Sequence, residues 1–322
     1  MKLQQLRYLV EIAEQNLNIT DAAEALYTSQ PGISKQVRLL EQELELEIFE
    51  RNGKHIKSIT PQGEKIIQIA RELLAKAENI KSIAQEYNRP DHGLLRIATT
   101  NTQARYVLPE VVKRFVKRYP NVSLQINQGT PAQMAEQLES GSVDMAIITE
   151  GHNLFESMAL LPCYHWNRAV IVPPHHPLIE QELSIETLGQ YPLVTYTFGF
   201  MGASDLAKAF NHKGIMPHIV FTATDADVLK TYVRLGLGVG IIASMAHTSA
   251  DSDLIALDAA HLFQHSSTHI AFKRGTFLRQ YMYDFIEFFA PHLTKSAVEQ
   301  AELLNNNHAI EQFFSHIKLA HR

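Results

Sequence analysis

The sequence predicts an α/β protein in three parts: an N-terminal winged helix-turn-helix, a long linker helix, and a two-lobed α/β effector domain. Three observations carry this. Short helical patterns and an Asn-Gly hairpin signal fill the first sixty residues. Apolar residues then recur at heptad spacing between 66 and 87. Beyond 93, strand and helix patterns alternate, as in parallel sheets.

Leu6, Leu9, Val10 and Ala13 share one face of a first helix near 3–15. Thr20 is the expected N-cap of a second helix, Asp21–Leu26. Ser29 is the expected cap of a third, Gln30–Leu44, with Pro31 in its first turn, where amides are unpaired anyway. Ile33, Val37, Leu40 and Leu44 form its inner face. Thr28 and Ser29 at its start, with Gln30, Ser34, Lys35 and Arg38 outside, suit a helix seated in a DNA major groove. Asn52-Gly53 marks a hairpin wing that carries Arg51 and Lys54 toward the same DNA. Residues 1–60 hold seven Lys and Arg against nine Asp and Glu, so bulk charge does not explain DNA binding. The acids are segregated: 25–40 and 51–63 contain none, and EQELELEIFE between them reads as solvent-facing. A three-helix domain with a protein-binding hairpin is the alternative.

Thr60-Pro61 reads as N-cap and first residue of a helix over 61–88. Ile66, Ala70, Leu73, Ala77, Ile80, Ala84 and Tyr87 make an a/d seam for a second copy. Two copies would present two recognition helices to a palindromic site. A helix lying on its own domain is the alternative. Residues 89–93, RPDHG, form a hinge.

The effector region is expected over 94–293. Its first lobe takes 94–162 and 268–293, its second 163–267, and a helical tail 294–322 follows. Strands are expected at 94–98, 122–126 and 145–148, with helices at 104–119 and 131–140. A second series has strands near 169–172, 193–195, 219–221 and 239–242, and helices near 203–213 and 225–235. Ligands in such sheets sit outside the carboxyl ends of strands. Those ends carry Thr99–Gln103, Thr149-Glu150, Thr195–Gly202 and Thr222–Asp225, stretches rich in neutral hydrogen-bonding groups able to hold an oxyanion or small zwitterion. Plain helix capping explains each turn singly.

Composition narrows the class. Net charge is −5 and the pI about 6.3, which excludes a wholly basic nucleic-acid coat but not a local patch. One cysteine, Cys163, excludes an internal disulfide and favours a reducing compartment. No signal-peptide run and no membrane-length apolar run occur, so a cytoplasmic protein is expected. Gly236–Gly240 lacks the spacing and context of a dinucleotide turn. Cys163, His165, His175 and His176 match no zinc motif, and no hydrolase or metalloprotease motif is present. Neither an enzyme nor a cofactor is expected.

LQQLRYLVEIAEQ, DAAEALYTSQPGISKQVRLLEQEL, IFERNGK, TPQGE and RLGLGVGII resemble the LysR-type transcriptional regulators along nearly the whole chain. ATTNTQARYVLP, LPCYHWNR, YPLVTYTFGF and FTATDADVLKTYVRLGLGVG resemble the branch that controls cysteine biosynthesis and sulfur assimilation. The resemblance implies lobes like those of periplasmic binding proteins, a homodimer or homotetramer on promoter DNA, contact with RNA polymerase, and N-acetylserine or O-acetylserine as inducer, with sulfate able to occupy the cleft. Carried over by motif, the effector-binding residues are Thr100, Thr102, Gln103, Thr149, Tyr164, Trp166, Met201 and Gly202. Two positions depart from the pattern: Glu45 stands where a turn glycine is usual, and Met201 where a threonine hydroxyl is. A regulator of sulfonate or other sulfur-source genes, and a transport solute-binding protein, are the rival readings.

Overall fold

In the computed structural model, residues 1–53, 55–197 and 205–322 are described. The chain divides into two compact units, Met1–Asn88 and Arg89–Arg322.

The first unit begins with α1 (Leu3–Glu14), α2 (Ile19–Ala25) and α3 (Gln30–Glu43). Leu6, Leu9, Ile12, Ala22, Ile33, Val37 and Leu40 are buried together between them. Asn18, not Thr20, caps α2. Its Oδ1 accepts from the amides of Thr20 at 3.0 Å and Asp21 at 3.4 Å, and a residue preceding the first helical turn is better placed to reach those donors. Ser29 caps α3 as expected, its Oγ accepting from Gly32 N at 3.3 Å. The wing is β1 (Phe49–Asn52) against β2 (His55–Ile59), closed by the pair Asn52 and His55.

α4 (Pro61–Asn88) starts at Thr60, whose Oγ1 accepts from Gly63 N at 2.9 Å and donates to Glu47 O at 2.8 Å. A Cβ on Gly63 would lie 2.2 Å from Ile48 O, so only glycine allows this close approach. The first part of the expected seam is used within the unit. Ile67 and Ala70 are buried against the α1–α3 core, and Ile66 packs beside them. The uncovered apolar stripe is Ile69, Leu73, Ile80, Ile83 and Tyr87, with Ile80 70% and Tyr87 86% exposed.

The second unit holds two sheets. β3 (Gly93–Thr99), α5 (Asn101–Tyr106), α6 (Leu108–Arg118), β4 (Val122–Gln128), α7 (Pro131–Ser140), β5 (Met145–Ile148) and β6 (Met158–Trp166) build the first lobe. β7 (Arg168–Val172), α8 (Ile185–Leu188), β8 (Leu193–Tyr196), α9 (Asp205–His212), β9 (Ile219–Ala223), α10 (Ala226–Arg234), β10 (Val239–Ala243) and β11 (Ile255–Asp258) build the second. β12 (Ser266–Lys273), α11 (Gln280–Phe289), α12 (Lys295–Glu302), α13 (Asn307–Phe314) and β13 (Ala320–His321) return to the first. The sheet orders are β13-β6-β12-β5-β3-β4 and β11-β7-β10-β8-β9. β3 pairs parallel with β4 and β5, and β8 with β9 and β10.

Three expectations are corrected. The single helix over 104–119 is two, because Pro109 has no N–H for the ladder and its ring clashes with the preceding turn, so the helix restarts at Leu108. The lobe boundary at 162/163 falls later: β6 stays in the first sheet through Trp166, held by its antiparallel ladder with β12 from Ser266. The tail is part of the first lobe, since Val298, Ala301, Ile310 and Phe314 are buried in its core and β13 extends its sheet beside β6.

Candidate DNA face and candidate effector cleft

On the first unit, Thr28, Ser29, Lys35 and Arg38 are exposed, and Gln30 and Ser34 are half-buried. Gln30 Nε2 donates to Ser34 Oγ at 3.0 Å, which holds two polar side chains one turn apart on the same face. These six sit together at the start and outer face of α3. Lys54 lies outside the described residues.

Arg51 is placed differently. Its Nη2 lies 2.6 Å from Glu41 Oε2, and its side chain is half-buried. Glu41 Oε1 also accepts from Ile48 N at 2.9 Å and Phe49 N at 3.1 Å. Glu41 is 7% exposed, so it does not belong to a solvent-facing stretch. It turns inward because the loop into β1 leaves two amides unpaired, and a carboxylate from α3 is within reach of both. One charged side chain thus fixes the wing to the recognition helix. Nothing in the local pattern separated Glu41 from Glu43, Glu45 and Glu47.

The turn is left-handed although no glycine stands in it: Glu45 has φ +51° at the end of α3. Leu46 N reaches back to Glu41 O at 3.1 Å, which closes the helix end.

On the second unit, a cavity of about 390 Å³ opens at the carboxyl ends of β3, β4, β5, β8 and β9. Thr100, Thr102, Gln103, Thr149 and Trp166 line it, joined by Asn101, Gln128, Thr130, Gln133, Tyr196 and Thr224. The group after β4 was legible by the same strand-end rule but was not singled out. Met201 and Gly202 lie outside the described residues.

Tyr164 does not line the cavity. It is buried at 1% exposure, and its hydroxyl donates to Gln103 Oε1. Burial pushes its phenol up to about 12, so it acts as a neutral donor that orients the Gln103 amide. Thr100 and Thr130 both cap helices, accepting from Gln103 N at 3.4 Å and Gln133 N at 3.2 Å. Capping uses their lone pairs and leaves each hydroxyl proton to donate.

Of the described lining residues, Glu150 alone carries a formal charge. Arg168 Nη2 meets it at 2.9 Å, while the Arg168 guanidinium stacks 5.1 Å from the Trp166 ring. Trp166 Nε1 is buried with no hydrogen-bond partner. An indole N–H only donates, and leaving it unpaired costs about 1–3 kcal/mol. The cavity therefore suits a small, polar molecule that accepts from threonine hydroxyls. Tyr196 closes the far wall: Thr102 Oγ1 is 3.4 Å from its hydroxyl, and Ala243 N donates to it at 3.3 Å.

Residues 3–64 match the family model for the bacterial regulatory helix-turn-helix protein, lysR family, and residues 88–294 match the LysR substrate binding domain. The chain is 68% identical to the HTH-type transcriptional regulator CysB of Haemophilus influenzae over 320 residues, covering 99% of each. It is 43% identical to the regulator SsuR of Burkholderia cenocepacia, covering 92% of this chain and 97% of that one. The cofactor-binding domain of the Cbl transcriptional regulator superposes with a TM-score of 0.62 at 38% identity, covering 65% of this chain and 92% of that chain. This chain belongs to the LysR family of bacterial regulatory helix-turn-helix proteins.

Proposed function

We propose that this protein is a transcriptional regulator that binds double-stranded promoter DNA through α3 and the wing, and that a small molecule in the second unit's cleft controls it. The genes it activates are those of sulfate assimilation and cysteine biosynthesis, with RNA polymerase as the protein partner at the promoter. The 68% identity to a regulator named CysB, against 43% to one named SsuR, favours this gene set over other sulfur-source genes.

The observation that carries the ligand reading is the convergence of Thr100, Thr102, Gln103 and Thr149 on one cleft whose single charge among the described lining residues is already neutralised. N-acetylserine and O-acetylserine offer carbonyl and carboxylate acceptors, plus polar hydrogens for Gln128 and Gln133. Sulfate offers only acceptors and fits the threonine end. The working unit is a homodimer, and by family resemblance a homotetramer, joined along the exposed stripe of α4.

Calorimetric titration of the full chain with N-acetylserine, O-acetylserine, sulfate and adenylyl sulfate tests the effector. Heat from an acetylserine that weakens in Thr102→Val is expected. An absence of heat from both acetylserines at about millimolar concentration, near −4 kcal/mol of binding free energy, would remove the effector assignment. DNA binding is tested separately by footprinting, where Lys35→Ala and Arg38→Ala should each weaken protection.

A further inference from the structure

The segment 89–93, RPDHG, has the composition of a flexible hinge, with a proline that donates no N–H and a permissive glycine. In the second unit it is tied down instead. Arg279 Nη2 donates to Arg89 O at 2.8 Å, and Arg279 Nη1 donates to His92 O at 2.9 Å. His92 N bonds back to Arg89 O at 3.2 Å, which closes a turn between the two carbonyls. Asn121 Nδ2 donates to Asp91 Oδ2 at 3.2 Å, and the Tyr281 hydroxyl to Leu94 O at 3.3 Å.

Arg279 is the centre of this set. It is 4% exposed, although residues 89–92 lie on the surface. A guanidinium taken out of water needs partners for its donors, and the two backbone carbonyls are among them. Its planar fork lets two nitrogens each meet a different carbonyl. The guanidinium carbon sits 4.8 Å from the centre of the Tyr281 ring. Gly93 completes the fit: a Cβ there would lie 2.9 Å from Arg279 Nη1 and 2.9 Å from the Tyr281 hydroxyl. Glycine at 93 thus serves close approach and not flexibility.

β3 starts at this point. It is bonded to β4 from Gly93 to Thr99, and to β5 from Ile97 to Thr99. Its other end leads into Thr100, which lines the cleft. One strand, held on both sides, therefore joins the cleft to the tied segment, and such a rigid element can carry a displacement from end to end.

We propose that Arg279 is a positioning residue that clamps 89–92 onto the start of β3, so that the segment is a rigid joint and the effect of a ligand at Thr100 reaches the residues that follow α4. The clamp itself needs no ligand, whereas the coupling rests on the effector reading of the cleft.

The test is hydrogen exchange read by mass spectrometry on the full chain, with and without N-acetylserine, in wild type, Arg279→Lys and Gly93→Ala. Thermal unfolding is read in parallel. Arg279→Lys keeps the charge, but a single ammonium cannot span both carbonyls. Gly93→Ala keeps the arginine and pushes its guanidinium off them, so it decides the matter if Arg279→Lys unfolds. In both variants the amides of 89–95 should exchange about tenfold faster than in wild type, with the rest of the second unit unchanged. In wild type, N-acetylserine should slow exchange at 100–106 and alter it at 89–95. The variants should keep the first response and lose the second. Wild-type exchange at 89–95 in both variants overturns the clamp. A response at 100–106 without one at 89–95 in wild type, or a response at 89–95 that persists in both variants, overturns the coupling. No response at either segment in wild type removes the effector reading and the coupling with it, while the rates without ligand still decide the clamp.

Discussion

The Tyr106 hydroxyl donates to Asp227 Oδ1 at 2.8 Å, joining α5 of the first lobe to α10 of the second. The Tyr106 hydroxyl oxygen in turn accepts from Lys230 Nζ at 3.0 Å, and Arg105 Nε lies 2.6 Å from the other Asp227 oxygen, Oδ2. Lys230 is 2% exposed and also meets Asp251 at 2.9 Å and Ala246 O at 2.9 Å. Burial opposes its charge, but hydrogen bonds to Asp227, Tyr106 and Asp251 outweigh burial and hold its pKa above the ordinary lysine value. The two lobes are thus tied by a charged group beside the cleft wall.

Tyr106→Phe keeps the ring and removes both hydrogen bonds. Each is worth about 1 kcal/mol, and the part that differs between free and effector-bound lobes appears as affinity. The variant is expected to bind effector about fivefold more weakly, which calorimetry would read. Unchanged affinity would mean that the Tyr106 link is the same with and without effector.

Glu41→Ala removes the acceptor for two buried amides and leaves Arg51 without its partner. A loss of about 3 kcal/mol in the stability of the first unit is expected, measured by urea denaturation of the full chain. DNA affinity should fall with it, because the wing loses its attachment to α3. Arg51→Met tests the other side of the pair and should cost less, since the two amides keep their acceptor.

Glu45→Gly relieves a left-handed residue on an exposed turn. Stability should rise by about 1 kcal/mol, seen as a higher unfolding midpoint, with DNA affinity unchanged. A drop in stability would show that the Glu45 side chain contributes more than its backbone costs.

Glu302 gives a pH signature. Burial, and next the neighbouring Glu299, push its carboxyl from 4.5 up to about 7, while a hydrogen bond with Tyr283 works the other way. Below the unfolded value both states are protonated. Between that value and about 7 only the unfolded chain releases the proton, so stability falls as pH rises, and the loss is complete above about 7. Glu302→Gln should therefore match wild type near about pH 4 and unfold at a higher temperature than wild type above about pH 8. Parallel curves for the two proteins would show that Glu302 does not titrate in this range.

Ile80→Glu places a charge in the middle of the uncovered stripe of α4. Paired copies should separate at about micromolar concentration, visible by sedimentation, while the fold of each unit is retained. Ala70→Glu should instead destabilise the first unit itself, because Ala70 is 1% exposed within its core.

Much of this protein follows from its sequence because the relevant forces act over a few residues. Ser29 and Thr60 cap their helices through amides three positions away. The alternation of strand and helix placed Thr100, Thr102, Gln103 and Thr149 at carboxyl ends that converge on one cavity.

Only the tertiary structure decided which chemically similar residues differ in role. Glu41 is buried and Glu43 is not, because Ile48 and Phe49 bring two amides to one and not to the other. Tyr164 supports Gln103 and does not line the cavity, a pairing across 61 positions. Tyr106 meets Asp227 across 121 positions. Ala70, expected on the seam, lies with Ile67 in the core of its own unit. Periodicity states which side chains share a face. Burial and charge pairing depend on which distant segment covers that face, and the chain's fold alone supplies that.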